Sequence, residues 1–431
     1  MFKFIHAADI HLDSPLRGIS KYEGAPVEEV RGASRTALKN LVQVASNRKV
    51  DFVLIAGDLY DGDWPDHNTG LFFAKQVTKL RDAGIAVYLI TGNHDAASKM
   101  TRSLVLPNNP DGSAIRISSH TVETIELKKL GVAIHGRGFD TPKMPDSIID
   151  QYPIGCPDLF NIGMLHTSLE SDSKEHPRYA PCKLTDLIGK GYQYWALGHI
   201  HHRQILYESP HIVYSGNIQG RSIRETGAKG CLLVEVNNSL SIHTEFQSLD
   251  AMRWAALRID VSQAEDEGAV LQLFADTVEK QLIDQSELPV AMRVTFEGTT
   301  ELDHQLQRQS ESFTAQIRAK ALDVSSGRVW VEKILVETQL ARNLSEFIQN
   351  DGPIGALFEY VRSMQSDENA RTIINDELSY LMEKLPPELK HGPESLNWNE
   401  PESLAGLIAE VEPFLLARLT KEFQSADQGQ R

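Results

Sequence analysis

The sequence predicts an α/β (α+β) protein in which two mixed β-sheets are sandwiched by helices. Apolar segments of strand length alternate with helical apolar spacing in the N-terminal part of the chain. From about Ile115 onward, strand-like segments follow one another with little helix between them. This is more sheet than one doubly wound layer holds, so two packed sheets with helices outside fit better.

The N-terminal alternation predicts βαβ units. Phe2–Ala8, Phe52–Ala56 and Ala86–Thr91 have the composition of strands, and the last two are continuous apolar runs typical of buried strands. Between them, 35–45 and 71–80 have the apolar spacing of helices. Strands separated by helices indicate a largely parallel sheet.

The later segments predict more sheet and then two further regions. Val122–Leu127 and Val132–Gly136 have the pattern of a hairpin. The other predicted strands are Asn161–His166, Tyr194–Gly198, Ile212–Ser215, Cys231–Val236 and Ser241–Phe246. We therefore predict three domains: an α/β domain over 1–250, a smaller α+β domain over 251–337, and a helical segment over 338–431. The second contains predicted strands at 254–261, 290–296 and 329–336 and helices at 269–283 and 303–321.

The net charge argues against nucleic acid as a partner, but only in part. The chain has 43 basic and 59 acidic residues, a net charge of −16. Phosphate contacts depend on clustered Lys and Arg, yet a local patch decides binding rather than the whole surface. Sixteen acidic and eight basic residues lie from Thr338 onward, so half of the excess negative charge falls in the last segment.

The cysteines and apolar runs indicate a cytoplasmic protein with no membrane segment. The three cysteines, Cys156, Cys182 and Cys231, are widely spaced and form no Cys-x-x-Cys pair. A disulfide framework or a structural zinc site is therefore not expected. The apolar stretches are of strand length, and the N-terminus lacks the pattern of a signal peptide.

Five polar motifs follow predicted strands in the first half of the chain. Two of them, Asp9-Ile10-His11 and Gly198-His199-Ile200-His201, place two polar side chains at positions i and i+2, which share one face of an extended chain. The other three are Gly57-Asp58-Leu59-Tyr60-Asp61, Gly92-Asn93-His94-Asp95 and the single residue His166.

Their shared location indicates one metal site. Ligand sites in open α/β sheets lie at the carboxyl ends of the strands. Mixed carboxylate and imidazole ligands suit divalent manganese, iron or zinc, and two such ions about 3.5–4 Å apart form the usual clamp for attack on phosphorus. Each motif alone is also a common turn or surface feature. Five together at strand ends favour the metal interpretation.

The order and wording of these motifs resemble the calcineurin-like metallophosphoesterase superfamily over about residues 1–246. The form Gly57-Asp58-Leu59-Tyr60-Asp61 and the α+β unit that follows resemble the branch of SbcD-type and YhaO-type DNA-repair exonucleases. The resemblance implies a pair of mixed sheets sandwiched by helices, which agrees with the strands read from the sequence.

The resemblance also implies roles for nine residues. Asp9, His11 and His201 would hold one metal ion, Asn93, His166 and His199 a second, and Asp58 would bridge them. His94 matches the catalytic histidine that acts on the leaving group, and Asp61 matches the carboxylate that orients it. The metals are expected to be Mn²⁺, with Mg²⁺, Fe²⁺ or Zn²⁺ as alternatives, and metal-activated water would attack phosphorus in line.

The resemblance implies a DNA exonuclease and endonuclease of DNA repair that forms a homodimer and binds an SMC-like coiled-coil ATPase. Two alternatives stay open at this point. A phosphoesterase of small nucleotides or cyclic nucleotides would use the same centre, and the acidic charge favours it. A non-catalytic scaffold would keep the fold, but the full set of motif residues speaks against it.

A few polar residues outside the motifs remain ambiguous. Arg221 and Arg224 follow a strand end, where contact with a nucleic-acid backbone and a solvated loop are equally good interpretations. Arg137 is interpreted as structural. His202 lies one residue past the last motif and is expected to point away from the metals.

Overall fold

The computed structural model describes residues 1–14, 27–62, 67–98, 104–169, 179–283, 287–308, 311–340 and 353–364, with positions 367, 369, 372–374, 376 and 411. The chain divides into two compact units. The first comprises Met1–Arg258, Ala275–Thr295 and Gln316–Leu335. The second comprises Ile259–Phe274, Phe296–Ala315 and Val336–Arg431.

In the described residues, strands and helices alternate in the N-terminal part of the chain, and strands predominate from Glu123 to Ser248. The strands are β1 (Phe2–Ala7), β2 (Phe52–Ala56), β3 (Ala86–Ile90), β4 (Glu123–Leu127), β5 (Val132–Gly136), β6 (Phe160–His166), β7 (Tyr194–Gly198), β8 (Gln204–Glu208), β9 (His211–Tyr214), β10 (Gly230–Val236), β11 (Ile242–Ser248), β12 (Arg253–Asp260), β13 (Val290–Thr300) and β14 (Val329–Leu340). The α-helices are α1 (Val27–Arg48), α2 (Asn68–Asp82), α3 (Asn93–Ala97), α4 (Leu184–Ile188), α5 (Glu267–Ile283), α6 (Asp303–Gln307), α7 (Glu311–Val324) and α8 (Pro353–Met364).

Two mixed sheets form the larger part of the fold. The first has the order β11-β10-β1-β2-β3, in which β1, β2 and β3 run parallel and β10 and β11 are antiparallel additions. The second has the order β4-β5-β6-β7-β9-β8, with a parallel centre and an antiparallel strand at each edge. The parallel strands deliver their carboxyl ends to one edge of each sheet.

Side chains that point alternately to the two faces of each strand explain why the sheets pack face to face. In β1, Phe4 points into the layer between the sheets, whereas Ile5 points to the opposite face. Phe4 stacks on Phe52 with ring centroids 5.1 Å apart, and meets Tyr194 of the second sheet edge-to-face at 5.2 Å. The layer between the sheets is therefore packed mainly with aromatic and aliphatic side chains.

Helices cover the outer faces of both sheets. Apolar side chains of α1 and α2, such as Leu38 and Phe73, pack on the outer face of the first sheet. On the second sheet, buried Trp195 packs in a cluster with Leu187 of α4 and donates its indole N–H to the Leu187 carbonyl at 3.1 Å. The predicted sandwich of two mixed sheets between helices is confirmed.

Several details differ from the sequence-based prediction. The parallel pairing predicted from the βαβ units is present in β1, β2 and β3, while the order in which β10 pairs antiparallel with β1, and β11 with β10, was not predicted. Strand β8 was not predicted, since Gln204–Glu208 is mostly exposed and lacks a clear apolar alternation. The helix predicted over 303–321 is two helices, α6 and α7. Within the helical segment predicted over 338–431, α8 is a helix, and the rest of the segment lies almost wholly outside the described residues.

A smaller three-stranded sheet has the order β12-β13-β14. Arg293 of β13 forms a two-pronged ion pair with Glu332 of β14, with both nitrogen–oxygen distances 3.0 Å. Within the described part of the chain, no helix combines the length and apolar character that a bilayer crossing needs.

Candidate metal centre

The structure brings the nine predicted site residues together where strand ends of the two large sheets meet. The loops after β1 and β2 run side by side, since the His11 amide donates to the Asp58 carbonyl at 3.0 Å. The loop after β7 crosses over to them, because the His199 amide donates to both Asp9 carboxylate oxygens at 3.0 Å. Asn93 and His94 begin α3 directly after β3.

Four of these residues have left-handed backbone conformations. The φ angles are 50° at Asp9, 45° at His11, 50° at Asp58 and 95° at His199. Such angles are uncommon for residues other than glycine, and they persist where the surrounding structure enforces them, often at functional sites. The strain turns side chains of consecutive loops toward one point.

One metal position is indicated by His11 and His201. Their Nε2 atoms are 3.2 Å apart, and a ring nitrogen of each lies within 4.8 Å of an oxygen of Asp9. The Nδ1–H of His201 donates to the Glu225 carboxylate at 2.7 Å, which leaves a lone pair on its Nε2. Burial, together with the charge of Arg221, lowers the pKa of His11 to about 3, so this ring is neutral. A neutral imidazole is the form that binds a metal.

A second position is indicated around His166. Its Nδ1–H donates to the Ala56 carbonyl at 3.0 Å, so its Nε2 faces Asn93 Oδ1 at 3.0 Å and Asp58 Oδ2 at 3.3 Å. Three acceptor atoms converge here, and only a cation or an added proton stabilises such an arrangement. Burial would lower the pKa of His166, but Asp58 and Asp9 outweigh it and raise the pKa to about 9. The site therefore attracts positive charge, which fits a divalent cation.

Asp58 lies beside both positions, and His199 packs against His166. The Asp58 carboxylate accepts the His94 amide at 3.0 Å and lies 3.9 Å from His11 Nε2, so it lies between the two positions. Burial acts to raise the Asp58 pKa, yet the neighbouring His166 and His11 hold it below its usual range. The His199 ring packs edge-to-face on His166, with centroids 5.3 Å apart.

His94 and Asp61 form a pair beside the metal-facing atoms. The Nδ1–H of His94 donates to Asp61 Oδ1 at 2.6 Å, and Ser14 donates its hydroxyl to Asp61 Oδ2 at 2.6 Å. The hydrogen bond to Asp61 raises the pKa of His94 against the opposing effect of burial. His94 can therefore hold a proton on Nε2, on the side of the ring away from Asp61.

Glycine at position 198 permits the close approach of the two sheets. A Cβ added to Gly198 would lie 1.9 Å from the Ala56 carbonyl oxygen, the same carbonyl that accepts from His166. We expect Gly198→Ala to lower the free energy of unfolding by about 1–3 kcal/mol, because neither backbone can yield without moving His166. Urea unfolding checks this.

The matched control is Gly32→Ala in α1. A Cβ there meets nothing within 4 Å. Alanine favours helix over glycine by about 0.5–1 kcal/mol, so this variant should be as stable as the wild type or more stable. Equal effects of the two substitutions would contradict the close-approach explanation.

Glu225, Arg221 and Asp95 also belong to the centre, although the sequence-based prediction did not assign them to it. Glu225 orients His201, and the Arg221 guanidinium lies between Glu225 and Asp61, with nitrogen–oxygen distances of 3.3 and 3.5 Å. The buried carboxylate of Asp95 accepts the amides of Leu59, Tyr60 and Gly92, and so ties the loops after β2 and β3 together. By contrast, His202 is exposed. Arg137 bonds to Ser119 and Gln151 on the second sheet's side.

Glu225 gives a direct prediction. A carboxylate that receives the second N–H of a metal-binding histidine fixes its tautomer and orientation, and its removal costs about 10–100-fold in metal affinity or activity. Glu225→Gln should therefore weaken Mn²⁺ binding about tenfold, measured by titration calorimetry on metal-free protein. Glu208→Gln, at an exposed position of the β8–β9 hairpin, should leave the affinity unchanged.

A sandwich of mixed sheets with an Asp, Asn and His centre at its strand ends defines the class of metal-dependent phosphoesterases. Comparison with known families agrees. Residues 2–203 match the model of calcineurin-like phosphoesterases, and residues 254–339 match that of the middle domain of metallophosphoesterase YhaO.

Among individual proteins, the chain is 34% identical over 380 residues to the uncharacterized metallophosphoesterase YhaO of Bacillus subtilis (strain 168), covering 84% of this chain and 88% of that one. The chain therefore belongs to the YhaO family of calcineurin-like metallophosphoesterases, which makes it a metal-dependent phosphoesterase.

Solved structures with some likeness include a protein of Thermus thermophilus, at 13% identity and a TM-score of 0.33, covering 57% of this chain and 98% of that one. A dimetal phosphatase from Danio rerio has 11% identity and a TM-score of 0.34, with coverage of 57% and 96%.

Proposed function

We propose that this protein is a two-metal phosphodiesterase that cleaves DNA. The observation that carries the proposal is the placement of the Asp61–His94 pair next to the two convergent sets of metal-facing atoms. His94 Nδ1 donates a hydrogen bond to Asp61 Oδ1 at 2.6 Å, and the His94 backbone amide donates to Asp58 Oδ1 at 3.0 Å. The ring is thereby fixed at the edge of the centre with Nε2 available for proton transfer.

The proposed residues divide the chemistry. Asp9, His11 and His201 would hold one ion, Asn93, His166 and His199 the other, and Asp58 would contact both. Bound divalent ions supply Lewis-acid stabilisation of phosphate oxygens and lower the pKa of water. His94 then donates its Nε2 proton to the leaving oxygen, and Asp61 stabilises the imidazolium beforehand. Manganese is the proposed ion, because Asp, Asn and His ligands together suit it.

The openness of the centre favours a large substrate. The His94 side chain is 42% exposed, although the neighbouring metal-facing side chains of His11 and His166 are fully buried. Small ligands are usually enclosed on most of their surface. A proton donor that remains open to solvent suits a polymer that lies across the centre.

Basic side chains beside the loop after β7 also support DNA. Arg224 is exposed three residues from Arg221, whereas Lys229 is buried and donates to the His201 carbonyl at 3.2 Å. Arg224 supplies local positive charge in a chain of net charge −16. Because phosphate contacts are local, the overall charge does not decide the substrate.

A second candidate is a phosphoesterase of small nucleotides or cyclic nucleotides. The excess of acidic residues favours it, since a small substrate needs no extended basic surface. A non-catalytic scaffold would not need His94 and Asp61 in hydrogen-bonding contact.

Partners and compartment are proposed from the family resemblance. We expect a homodimer that binds an SMC-like coiled-coil ATPase through 338–431, and we expect the protein to act in the cytoplasm.

One experiment separates these candidates. A DNA duplex labelled at the 5′ or 3′ end and bis-p-nitrophenyl phosphate are incubated with Mn²⁺, with Mg²⁺ or with chelator. Manganese-dependent cleavage of both substrates supports the nuclease, and the label pattern gives the polarity. Hydrolysis of the small diester alone, also after addition of a purified family ATPase, would move the substrate class to small nucleotides. Inactivity on both substrates would favour the scaffold.

A further inference from the structure

Arg221 lies beside the centre but has no role in the reaction proposed above. It lies in the loop between β9 and β10, and its side chain is 23% exposed. Its guanidinium is 3.3 Å from Glu225 Oε1 and 3.5 Å from Asp61 Oδ2. One arginine thus contacts the carboxylate that orients His201 and the carboxylate that orients His94.

The contact with Glu225 is part of a saturated network. Glu225 Oε1 accepts from His201 Nδ1 at 2.7 Å, while Oε2 accepts from the Arg221 amide at 2.7 Å and from the Asn217 side chain at 2.9 Å. Both carboxylate oxygens of Glu225 are therefore held by hydrogen bonds, and the Arg221 guanidinium is its ion-pair partner.

The backbone around Arg221 is also fixed. The Gly220 carbonyl accepts the indole N–H of buried Trp254 at 3.1 Å. A Cβ at Gly220 would lie 2.7 Å from the Glu225 carbonyl oxygen, so the loop is tightly folded at this point. The guanidinium position is set by the fold, rather than by a flexible surface loop.

We propose that Arg221 is a positioning residue that joins the Glu225–His201 pair to the Asp61–His94 pair. This rests on the proposed function of those two pairs. A planar guanidinium can contact two carboxylates in different directions at once, which a lysine ammonium does less well. Through these two carboxylates, one side chain fixes the position of the metal-facing His201 ring relative to the proton-carrying His94 ring.

The test uses two double-mutant cycles on the full chain. In the first, kcat and KM for bis-p-nitrophenyl phosphate are measured for Arg221→Met, Asp61→Asn and the double variant. We expect Arg221→Met to lower kcat about tenfold with KM within about twofold of the wild type. In the Asp61→Asn background, Arg221→Met should cost less than about twofold, because residues in one network are not additive.

The second cycle has a readout other than activity. Mn²⁺ affinity is measured by calorimetry for Arg221→Met, Glu225→Gln and the double variant. The double variant should bind Mn²⁺ about as weakly as Glu225→Gln alone, within about twofold. This cycle decides the inference even if the wild type hydrolyses no diester, in which case the proposed function alone fails.

Two further variants separate positioning from contact with substrate. Arg221→Lys should resemble Arg221→Met, whereas a residue that binds the substrate phosphate by charge alone would be rescued by lysine and would act on KM. Lys128→Met, at an exposed position of the turn between β4 and β5, should match the wild type in both cycles. Wild-type kcat and Mn²⁺ affinity in Arg221→Met, additive effects in both cycles, or rescue of a raised KM by lysine would overturn the proposal.

Discussion

Replacing Asp58 by asparagine is expected to abolish both high-affinity metal binding and hydrolysis. The Asp58 carboxylate is buried between His166 Nε2 at 3.3 Å and His11 Nε2 at 3.9 Å, so its charge serves both candidate metal positions. Asparagine keeps the size of the side chain and its acceptance of the His94 amide but removes the negative charge. The protein should therefore fold but lose its affinity for divalent ions.

Unfolding with and without Mn²⁺ measures this effect. A ligand at 100 times its dissociation constant stabilises a folded protein by about 2.7 kcal/mol, and this gain should disappear in Asp58→Asn. Asp158→Asn, at an exposed loop position, should retain it. Undiminished stabilisation of Asp58→Asn by Mn²⁺ would show that Asp58 does not hold metal.

Replacing His94 by asparagine is expected to abolish turnover while leaving metal binding intact. His94 Nδ1 lies 2.6 Å from Asp61 Oδ1, its side chain is 42% exposed, and its ring is not among the ligands proposed for either metal position. General acid catalysis contributes about 10²–10⁴-fold, and kcat for a DNA or diester substrate should fall by that amount.

The measurement pairs steady-state kinetics with Mn²⁺ calorimetry on the same preparation. The control is His202→Asn, since His202 is exposed and adjacent in sequence to the metal-facing His201. It should retain both activity and affinity. Normal turnover by His94→Asn would refute the assigned role, and lost Mn²⁺ binding would place His94 among the ligands.

The sequence located the centre because its side chains follow strand ends directly. Asp9, Asp58 and Asn93 each lie within three residues of the end of β1, β2 or β3, and parallel pairing of these strands brings the three together. Local pattern and sheet topology therefore agree at this edge. The roles taken from the family resemblance remain predictions, although the structure brings all nine residues together.

The residues that support the centre could not be found in the same way. Glu225 and Arg221 come from a loop whose path depends on long-range contacts, such as the hydrogen bond between Trp254 and Gly220. Arg221 was singled out only because it follows a strand end, and a basic and an acidic residue four positions apart are common on protein surfaces. Asp95 was visible within its motif, but its three backbone contacts depend on the neighbouring loop.

In the fold, too, features set by the local sequence were predicted and features set by long-range contacts were not. The buried strands β2 and β3 were predicted at their observed positions because continuous apolar runs have few other interpretations. Strand β8 was missed because it is an edge strand with exposed side chains, held by its pairing with β9. The antiparallel pairing of β10 with β1 joins segments that are far apart in the sequence, so no local sequence pattern predicts it.

The most direct test of a two-metal phosphodiesterase is a titration of metal-free protein with Mn²⁺, in which bis-p-nitrophenyl phosphate hydrolysis is followed at a protein concentration well above the dissociation constants. We predict that activity rises with added metal, reaches its plateau at two equivalents per chain and is abolished by chelator. A plateau at one equivalent, or hydrolysis that chelator does not remove, would contradict the account.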